Sequence, residues 1–388
     1  MQLAQFDRKN FLLKSGSLLT VPLLKYCTDA RLAGRSGNDP LQNAELAGYT
    51  EPALKAINFG ITAPNAHNTQ AWKFKLLNPE EFLLYVDESR LLPVTDIPAR
   101  QIHISQGTFL EVMRIGAEGI GYKSEIRLFP EGQYSSAEIG KKPVAHVKLK
   151  KQDAITGPLF QAIKSRATNR TKYHGDLITV PDTESILKLA APAYSSIRFI
   201  LAEKMRPYFE LLCDSMNLES RNFKLADESR LWFRFSDSEI QDKRDGIGLP
   251  GKGITGFTRW MAETFFVSAD PKKFHDPDGT NLFLSRYKEN VETSRGIVYW
   301  QTSANTMKDW VQTGFDYARF QLAITSLGYV MHPMSQLLQE YPEMNDLQKK
   351  FNQLTGVNAP AKIQMIVRLG RSDYQYLSPR RSAKSMLI

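Results

Sequence analysis

A turn rich in amide side chains is the part of this 388-residue chain that most directly indicates chemistry. Residues 63–72 read Ala-Pro-Asn-Ala-His-Asn-Thr-Gln-Ala-Trp. The amides of Asn68 and Gln70 can each donate and accept hydrogen bonds, so they could contact a heterocyclic ring whose polar edge carries both kinds of group. A polar turn that caps a helix and enters a strand is the structural alternative.

Two basic motifs could bind a phosphate group. In the first, Arg166 and Arg170 flank Thr168 and Asn169. Two guanidinium groups beside a hydroxyl and an amide can satisfy a phosphate through charge-assisted hydrogen bonds. The second motif is the basic stretch at residues 379–384, for which a solvated basic tail is the alternative.

Other kinds of catalytic site leave no recognisable pattern in the sequence. Cys27 and Cys213 are far apart and lack metal-type spacing, which argues against a disulfide framework and a zinc site. We find no carboxylate pair, no Cys/His dyad and no Gly-x-Gly-x-x-Gly fingerprint between a predicted strand and a predicted helix. His67, His103 and His332 could protonate a substrate, although isolated histidines are more often structural.

The charge and hydropathy of the chain restrict its partners. The formal net charge is +9, which would suit phosphate-bearing ligands, anionic membranes or nucleic acid. The basic residues are scattered, however, so a solvated basic surface is favoured and no nucleic-acid partner is expected. The longest apolar run near the start, residues 18–24, is shorter than the about 20 residues that a membrane-spanning helix requires, so no membrane span is expected.

The first 44 residues are predicted to form an N-terminal arm and linker outside the folded lobes. Residues 7–14, Asp-Arg-Lys-Asn-Phe-Leu-Leu-Lys, resemble a twin-arginine export signal with a lysine as the second basic residue. An ordinary amphipathic arm is the alternative. The expected location is therefore the bacterial cytoplasm, or the periplasm if the signal is functional.

Two segments of the chain align with each other without a gap. Residues 107–122 match residues 314–329, and both predict a buried helix that ends at a glycine, Gly121 or Gly328, in a left-handed C-cap. Each aligned helix is preceded by a helical stripe, an Ala-Pro turn and a strand, and is followed by an alternating strand, at residues 54–74 and 144–149 in the first copy and 186–199 and 363–369 in the second.

This repeat predicts an internal duplication, with a first lobe at residues 45–155 and a second lobe at residues 156–388. The second lobe carries an insertion near residues 234–256 that is too glycine-rich for a packed element and too long for a simple turn. The insertion is expected to be a lid or, alternatively, a surface excursion.

These motifs together resemble the nitroreductase family. The amide-rich turn resembles the family turn Ala-Pro-Ser-x-x-Asn-x-Gln-Pro-Trp, with Asn65 at the serine and Ala71 at the proline. The motif at residues 166–170 resembles the family phosphate motif Arg-x-Ser/Thr-x-Arg, and residues 379–384 resemble the basic clamp on the same phosphate. Residues 327–336 resemble the segment whose backbone N–H groups face the flavin N5.

The resemblance implies an α+β fold of two tandem lobes, each with a mostly antiparallel sheet flanked by helices, and it implies FMN as cofactor. The main-chain amides of Ser335 and Gln336 would be the N5 donors. The implied cofactor contacts are Pro64, Asn65, Ala66, Asn68, Gln70, Arg166, Thr168, Asn169, Arg170, Pro333, Met334, Ser335, Gln336, Arg380 and Arg381.

The distribution of motifs between the lobes implies one site per chain. In the family each flavin lies at a dimer interface, and here the first lobe retains the ring contacts while the second retains the arginines. The chain is therefore similar to the Acg-like branch, in which one chain forms a pseudo-dimer, and we expect a monomer.

The implied function is that of an FMN-binding oxidoreductase of the NAD(P)H-dependent nitroreductase or quinone-reductase type. Hydride would pass from NAD(P)H through the flavin N5 to a small nitroaromatic or quinone acceptor, with no catalytic residue assigned beyond the flavin. The alternative is an FMN storage protein whose insertion at residues 234–256 shuts out substrates. A third hypothesis, a nucleic-acid binder, rests on charge alone.

Overall fold

The computed structural model describes residues 41, 48–265 and 267–388. The stretch at residues 7–14 that resembles an export signal lies outside these ranges. Within them, each half of the chain contains one four-stranded sheet, and every strand pairing within the two sheets is antiparallel.

The first sheet is built from strands with alternating burial. Its strands are Trp72–Asn78 (β1), Glu81–Val86 (β2), Tyr122–Leu128 (β3) and Ala145–Lys151 (β4), in the order β1-β2-β4-β3. In β2 every second side chain is buried, including Phe82 and Leu84, because successive side chains of a strand point to opposite faces. Leu84 lies opposite Phe74 on β1, so the two strands contribute to the same core.

The second sheet has the same connectivity. Its strands are Ser196–Ile200 (β5), Gly296–Thr302 (β6), Val330–Pro333 (β7) and Lys362–Gly370 (β8), in the order β5-β6-β8-β7. A long helix joins the second and third strands of each sheet. The predicted α+β class is confirmed, and the repeated strand order supports the internal duplication.

The described helices flank the two sheets, and six of them lie between β5 and β6. They are Pro52–Gly60 (α1), Arg100–Gly119 (α2), Pro158–Ala162 (α3), Val180–Ala190 (α4), Arg206–Arg221 (α5), Phe223–Leu231 (α6), Asp237–Lys243 (α7), Gly256–Phe265 (α8), Pro271–Phe274 (α9), Pro277–Glu292 (α10), Met307–Ser326 (α11) and Asn345–Thr355 (α12). Among the residues that the structure describes, no helix combines the length and the apolar character that crossing a membrane requires.

The long helices α2 and α11 cross in direct backbone contact. A Cβ atom added to Gly107 would lie 1.8 Å from the carbonyl oxygen of Val311, and one added to Gly314 would lie 2.2 Å from that of Ile104. Gly107 and Gly314 are the matched first residues of the two aligned segments. The two aligned helices therefore meet each other at equivalent positions.

Both aligned helices end as predicted. Gly121 and Gly328 follow the last turns of α2 and α11 with φ of 84° and 77°, a left-handed conformation that glycine adopts at little cost.

The C-terminal segment returns to the first half. Leu387 pairs with Phe74 in a parallel bridge, and Ile388 donates a backbone hydrogen bond to the carbonyl of Phe74 at 3.0 Å. Ala383 and Met386 are buried in the core of the first sheet. The tail therefore brings its basic residues next to the amide-rich turn that precedes β1.

Residues 234–256 differ from the prediction of a segment without a packed element. They contain α7, whose first turn is capped by Ser236, the side chain of which accepts from the Glu239 amide. The glycines lie after this helix. The expectation was wrong for the first part of the segment because a short capped helix has too few apolar residues to show a periodic pattern.

Candidate functional site

A cleft lies between the two halves, where segments distant in sequence converge. Its lining residues are Pro64, Asn65, Asn68, Arg166, Thr168, Arg170, Gly246, Ile247, Gly248, Gly251, Tyr376, Ser378 and Arg380. The cleft thus unites the amide-rich turn of the first half, the arginine motif, the glycine-rich part of the insertion and the C-terminal tail.

The amide-rich turn has an unusual backbone. His67, Asn68 and Gln70 have φ of 48°, 54° and 52°, in the left-handed region that costs a residue other than glycine roughly 1–3 kcal/mol. The turn is held by the side chain of Asn65, whose Oδ1 accepts from the Gln70 amide at 2.9 Å. Thr108 on α2 adds a hydrogen bond of 2.6 Å to the carbonyl of Pro64. Tertiary contacts therefore impose this conformation, as is typical of functional sites.

The Asn68 side chain connects the turn to two other segments of the cleft. Its Nδ2 donates to the carbonyls of Gly246 at 3.1 Å and Pro379 at 3.2 Å, and its Oδ1 accepts from Arg380 Nη1 at 2.8 Å. The amide predicted to contact a ring thus also fixes the walls of the cleft.

Gln70 makes the corresponding connections on the far side of the turn. Its Nε2 donates to the carbonyl of Arg244 at 2.8 Å, and its Oε1 accepts from the Arg381 amide at 2.8 Å. The Arg381 guanidinium lies 3.9 Å from the Asp87 carboxylate. Neither Gln70 nor Arg381 belongs to the residues that line the cleft.

The arginine motif reaches the cleft from the second half. Arg166 is buried and donates to the carbonyl of Thr62 at 2.9 Å and to Gln321 Oε1 at 3.1 Å. Arg170 is half-buried, its Nη1 lies 3.5 Å from the carbonyl of Gly251, and burial lowers its pKa. Thr168 lies in the cleft wall between them.

Asn169 has a supporting role within this motif. Its side-chain Nδ2 donates to the carbonyl of Tyr374 at 2.6 Å, and its Oδ1 accepts from the amide of Thr171 at 2.9 Å. It does not line the cleft, and it instead connects the motif to the chain that leads into the C-terminal tail.

Arg380 lines the cleft, and its side chain forms several hydrogen bonds with backbone carbonyls. Its guanidinium donates to the carbonyls of Ile61 at 2.7 Å, Thr62 at 3.1 Å and Ala63 at 3.0 Å. These carbonyls follow the end of α1, where unpaired acceptors and the negative end of the helix dipole favour a cation. Arg380 therefore fastens the tail to the start of the amide-rich turn.

The segment that the sequence associated with flavin N5 lies beside the arginine motif. Thr168 forms a parallel bridge with Met331 on β7, and β7 leads into a 3₁₀ helix at Ser335–Leu338. The amide of Met334 donates to the carbonyl of Ile366 at 2.9 Å. Ala66 and the four residues Pro333, Met334, Ser335 and Gln336 are not among the lining residues of the cleft.

The insertion is anchored by two ion pairs of Asp245, which were not predicted from the sequence. Asp245 accepts from Arg234 Nη2 at 2.6 Å through one oxygen and from Arg90 Nη1 at 2.8 Å through the other. Arg90 also donates to the carbonyl of Thr69 in the amide-rich turn at 2.9 Å. The sequence did contain a signal for this contact, the pair Asp245-Gly246, in which an acidic residue precedes the glycine that forms hydrogen bonds with Asn68.

A group of basic side chains adjoins the cleft around Arg170. Burial, together with Arg170, lowers the pKa of Lys252 to about 8. Burial and the charges of Arg170 and Lys252 lower the pKa of His67 to about 4. The pKa of His332 lies well below its usual value because of burial and the neighbouring charges of Arg368, Arg170 and Lys252. Both histidines are therefore neutral at pH 7, and this region favours an anion.

Known proteins resemble parts of this chain. No protein-family model matches it. Two proteins of Mycobacterium tuberculosis (strain ATCC 25618 / H37Rv) are similar in sequence. "Uncharacterized protein Rv3127" is 28% identical over 123 residues, which cover 30% of this chain and 34% of that protein. "Putative NAD(P)H nitroreductase Rv3131" is 26% identical over 125 residues, which cover 32% and 34%. The match spans about a third of the length of these relatives.

Solved structures of nitroreductases align with somewhat more than half of the chain. The FMN-dependent nitroreductase NfnB from Mycobacterium smegmatis, in complex with NADPH, is 16% identical with a TM-score of 0.38, and the alignment covers 59% of this chain and 96% of that one. A nitroreductase with bound FMN from Desulfitobacterium hafniense DCB-2 is 12% identical with a TM-score of 0.34, and the alignment covers 58% and 94%.

Proposed function

We propose that the cleft binds one FMN and that the chain is an NAD(P)H-dependent oxidoreductase of the nitroreductase or quinone-reductase type. The observation that carries this proposal is the convergence of Asn68 from the first half with Arg166 and Arg170 from the second in one cleft. Because the amide-rich turn lies in the first half and the arginine motif in the second, a single FMN site needs residues from both halves.

The donor groups of the cleft fit a phosphate-bearing cofactor. Arg166, Arg170 and the hydroxyl of Thr168 line it, and none of the described lining residues carries a carboxylate. Arg380 adds a positive charge to the lining, while its N–H groups donate to carbonyls of the turn. Guanidinium and hydroxyl donors without a competing anion are suited to a phosphate. The fit therefore rests on charge and on hydrogen-bond donors, both of which this chain supplies.

FMN, when bound, supplies the hydride chemistry at its N5 atom. We assign the N5 hydrogen bond to the main-chain amides of Ser335 and Gln336, which lie outside the lining of the cleft, so the assignment requires the flavin ring to extend past the arginine motif towards β7. They open a 3₁₀ helix, and the first N–H groups of a helix have no partner within it. Their neighbour, the Met334 amide, is fixed by the carbonyl of Ile366, which holds the start of this helix against β8.

The turn at residues 191–195, which is equivalent in the second half to the amide-rich turn, supports a single site per chain because its donors are already used. There the amides of Ala193, Tyr194 and Ser195 donate to the carboxylate of Asp316 at 2.8, 2.8 and 2.6 Å. An acidic side chain thus satisfies the donors that would otherwise face a ligand. We accordingly propose a pseudo-dimer with one functional site, similar to the Acg-like branch, acting as a monomer.

The reductant and the acceptor are proposed from the resemblance and from the relatives. The similarity to the protein named "Putative NAD(P)H nitroreductase Rv3131" supports NAD(P)H as hydride donor and a nitro compound as acceptor. The resemblance of the motifs to the nitroreductase family adds a small nitroaromatic or quinone as the proposed acceptor. The Gly-x-Gly-x-x-Gly spacing occurs at residues 246–251, but it lies between α7 and a 3₁₀ helix at Pro250–Lys252 and follows no sheet strand. It is therefore not the strand–turn–helix fingerprint of a separate dinucleotide site, and the nicotinamide would bind in the flavin cleft itself.

A storage function is the second candidate, and the closed insertion favours it. Asn68 bonds Gly246, and Asp245 joins the insertion to Arg90 and Arg234. If this arrangement persists with flavin bound, NAD(P)H and acceptor cannot reach the ring.

The test is to load purified protein with FMN, remove free flavin, and record the visible spectrum before and after NADH or NADPH is added. Retained FMN that is bleached by a reduced nicotinamide and restored by a nitroaromatic or quinone supports the enzyme. Retained FMN that only dithionite reduces supports storage. A colourless protein overturns both.

Variants of the arginine motif test the site itself. Arg170→Gln is expected to weaken FMN binding about 100-fold, since a charge-assisted contact to phosphate is lost. Arg198→Gln on the exposed face of β5 is the matched control and should bind FMN as the wild type does. Equal affinity of both variants would show that the phosphate lies elsewhere.

A further inference from the structure

The glycine-rich part of the insertion is packed against the arginine motif. The carbonyl of Gly251 lies 3.5 Å from Arg170 Nη1. A Cβ atom added to Gly253 would lie 2.3 Å from Cγ2 of Thr171, the residue that follows the motif, and Gly253 has a left-handed φ of 72°. Glycine is therefore required at this point of the chain so that the insertion can approach the motif closely.

The C-terminal tail contacts the same part of the insertion. The hydroxyl of Tyr374 donates to the carbonyl of Pro250 at 2.6 Å. A Cβ atom added to Gly251 would lie 3.4 Å from Cε1 of Tyr376, so the ring of Tyr376 packs on the backbone of this glycine. Asn169 of the arginine motif donates to the carbonyl of Tyr374. The insertion, the arginine motif and the tail therefore form one connected wall of the cleft.

Three glycines of the insertion present main-chain atoms to the cleft. Gly246, Gly248 and Gly251 all line it, and a glycine has no side-chain atoms with which to do so. The N–H and the carbonyl of Gly246 are both bonded to Asn68. The N–H groups of Gly248 and Gly251 donate to no residue that the structure describes, although both glycines are buried. Because a buried main-chain N–H without a partner is rare and costly, a ligand in the cleft is expected to supply the acceptors.

The positive charge beside these N–H groups is not balanced by a carboxylate in the described lining of the cleft. Arg170 forms no ion pair within the part of the chain that the structure describes, and burial lowers its pKa. Its charge in turn lowers the pKa of Lys252, the residue after Gly251, which Glu219 attracts without forming an ion pair. Since a buried cation without a counter-ion is costly, an anionic acceptor is favoured at this end of the cleft.

We propose that residues 246–251 form a phosphate-binding loop that completes the arginine motif, and that the group they bind is the phosphate monoester of FMN. The N–H groups of Gly248 and Gly251 would donate to phosphate oxygens beside the Arg170 guanidinium and the Thr168 hydroxyl. This inference rests on the proposed function, because the phosphate belongs to the cofactor of that same cleft. The insertion would then retain the cofactor by its phosphate and select phosphorylated flavin, instead of only covering the ring.

The experiment compares FMN with riboflavin, which share the ring and the ribityl chain and differ only in the phosphate. Each is titrated into purified protein from which flavin has been removed, and the dissociation constant is taken from the change in flavin fluorescence. Wild-type protein is expected to bind FMN about 1000-fold more tightly than riboflavin. Inorganic phosphate should compete with FMN and leave riboflavin binding unchanged. Phosphate that binds without displacing FMN would overturn the assignment, because the loop would then hold a separate anion.

Two variants of Gly248 isolate the contribution of its N–H group. Gly248→Pro removes this N–H, whereas Gly248→Ala keeps it. Both variants introduce a Cβ atom, which would lie 2.9 Å from Cδ1 of Ile240, so both must displace the end of that side chain. Gly248→Pro should lower the preference for FMN over riboflavin about tenfold, and Gly248→Ala should keep it. Neither variant should change the affinity for riboflavin.

A second measurement needs no substitution. Amide hydrogen exchange of the peptide that contains residues 246–251 is followed in wild-type protein without flavin, with riboflavin and with FMN. FMN should slow the exchange about tenfold or more, and riboflavin should leave it unchanged. Equal protection by the two flavins would overturn the proposal, because the loop would then contact the ring or the ribityl chain. If Gly248→Pro does not fold, this comparison decides.

The inference fails separately from the proposed function. A wild type that binds neither flavin overturns the proposed function. A wild type that prefers FMN overturns only the loop assignment if Gly248→Pro folds and keeps the full preference, or if FMN does not slow exchange at residues 246–251. In that case the arginine motif would hold the phosphate without the loop.

Discussion

Asn68 and Gly246 exchange two hydrogen bonds, although 178 residues separate them in the sequence. The Gly246 amide donates to the main-chain carbonyl of Asn68 at 3.1 Å, and Asn68 Nδ2 donates to the carbonyl of Gly246 at 3.1 Å. The insertion of the second half is thereby joined to the turn of the first across the cleft. We expect access to the cleft to depend on whether this junction opens.

Asp245→Asn is expected to loosen the insertion. The change leaves Arg90 and Arg234 without their shared carboxylate, and breaking a buried ion pair typically costs about 3–5 kcal/mol, here local to the insertion. FMN should therefore dissociate about tenfold faster, measured by stopped-flow fluorescence of released flavin. Asp242→Asn, exposed on α7, is the control. Identical rates for Asp245→Asn and wild type would mean that the insertion does not limit flavin exchange.

Arg380→Met is expected to affect folding and cofactor binding together. The side chain donates to three backbone carbonyls after α1 as well as lining the cleft, so its loss should lower the free energy of unfolding by about 3 kcal/mol. Arg381→Met, which removes a side chain outside the cleft lining, should lower FMN affinity far less. Urea unfolding and flavin titration of both variants give the comparison, and equal loss of FMN affinity would place Arg381 at the cofactor.

Gly107→Ala should be among the most destabilising single methyl additions in the chain. The new Cβ would lie 1.8 Å from the carbonyl oxygen of Val311, so α2 and α11 must separate. Overpacking of this kind costs about 1–3 kcal/mol, and backbone contact puts the expected loss at the upper end. Gly157→Ala, where no atom lies within 4 Å, is the control. Urea midpoints that agree for the two variants would disprove the close approach.

Glu219→Gln should flatten the dependence of stability on pH. Burial raises the pKa of Glu219 to about 7 in the folded protein, above its value of 4.5 in the unfolded chain. This carboxyl group therefore contributes stability that is complete below pH 4.5 and is lost as the pH rises through about 7. The loss amounts to about 3 kcal/mol by linkage.

The measurement is urea unfolding of wild type and Glu219→Gln at pH 5 and pH 8. The variant should lose less stability than the wild type between these values. Glu210→Gln, exposed on the same helix, should follow the wild type. A wild type that becomes no less stable relative to Glu219→Gln at the higher pH would contradict the burial of an ionisable carboxyl group there.

The regular elements of the fold could be predicted from the sequence because their signals are local. Alternation predicted strands at residues 144–149 and 363–369, which are β4 and β8 in the structure, and the gap-free match of the two helical segments predicted elements that the structure places in equivalent positions. Gly121 and Gly328 marked the helix ends because a left-handed residue there favours glycine.

Some of the residues that line the cleft were also predictable, because amide, hydroxyl and guanidinium side chains are the groups that bind a ring edge or a phosphate. Asn68, Arg166, Thr168, Arg170 and Arg380 all line it. Their hydrogen-bond partners were not predictable, because Asn68 and Arg380 bond to each other across 312 residues, and no local pattern encodes such a contact.

Because the C-terminal tail returns to β1, we expect the cleft to form late in folding. The amide-rich turn can form once the first sheet exists, but Tyr376, Ser378 and Arg380 complete the cleft only after the tail has docked on Phe74. Closing so long a loop is slow compared with forming local contacts. A ligand bound in the cleft would therefore stabilise the docked tail, so that occupancy and resistance of the C-terminus to proteolysis should rise together.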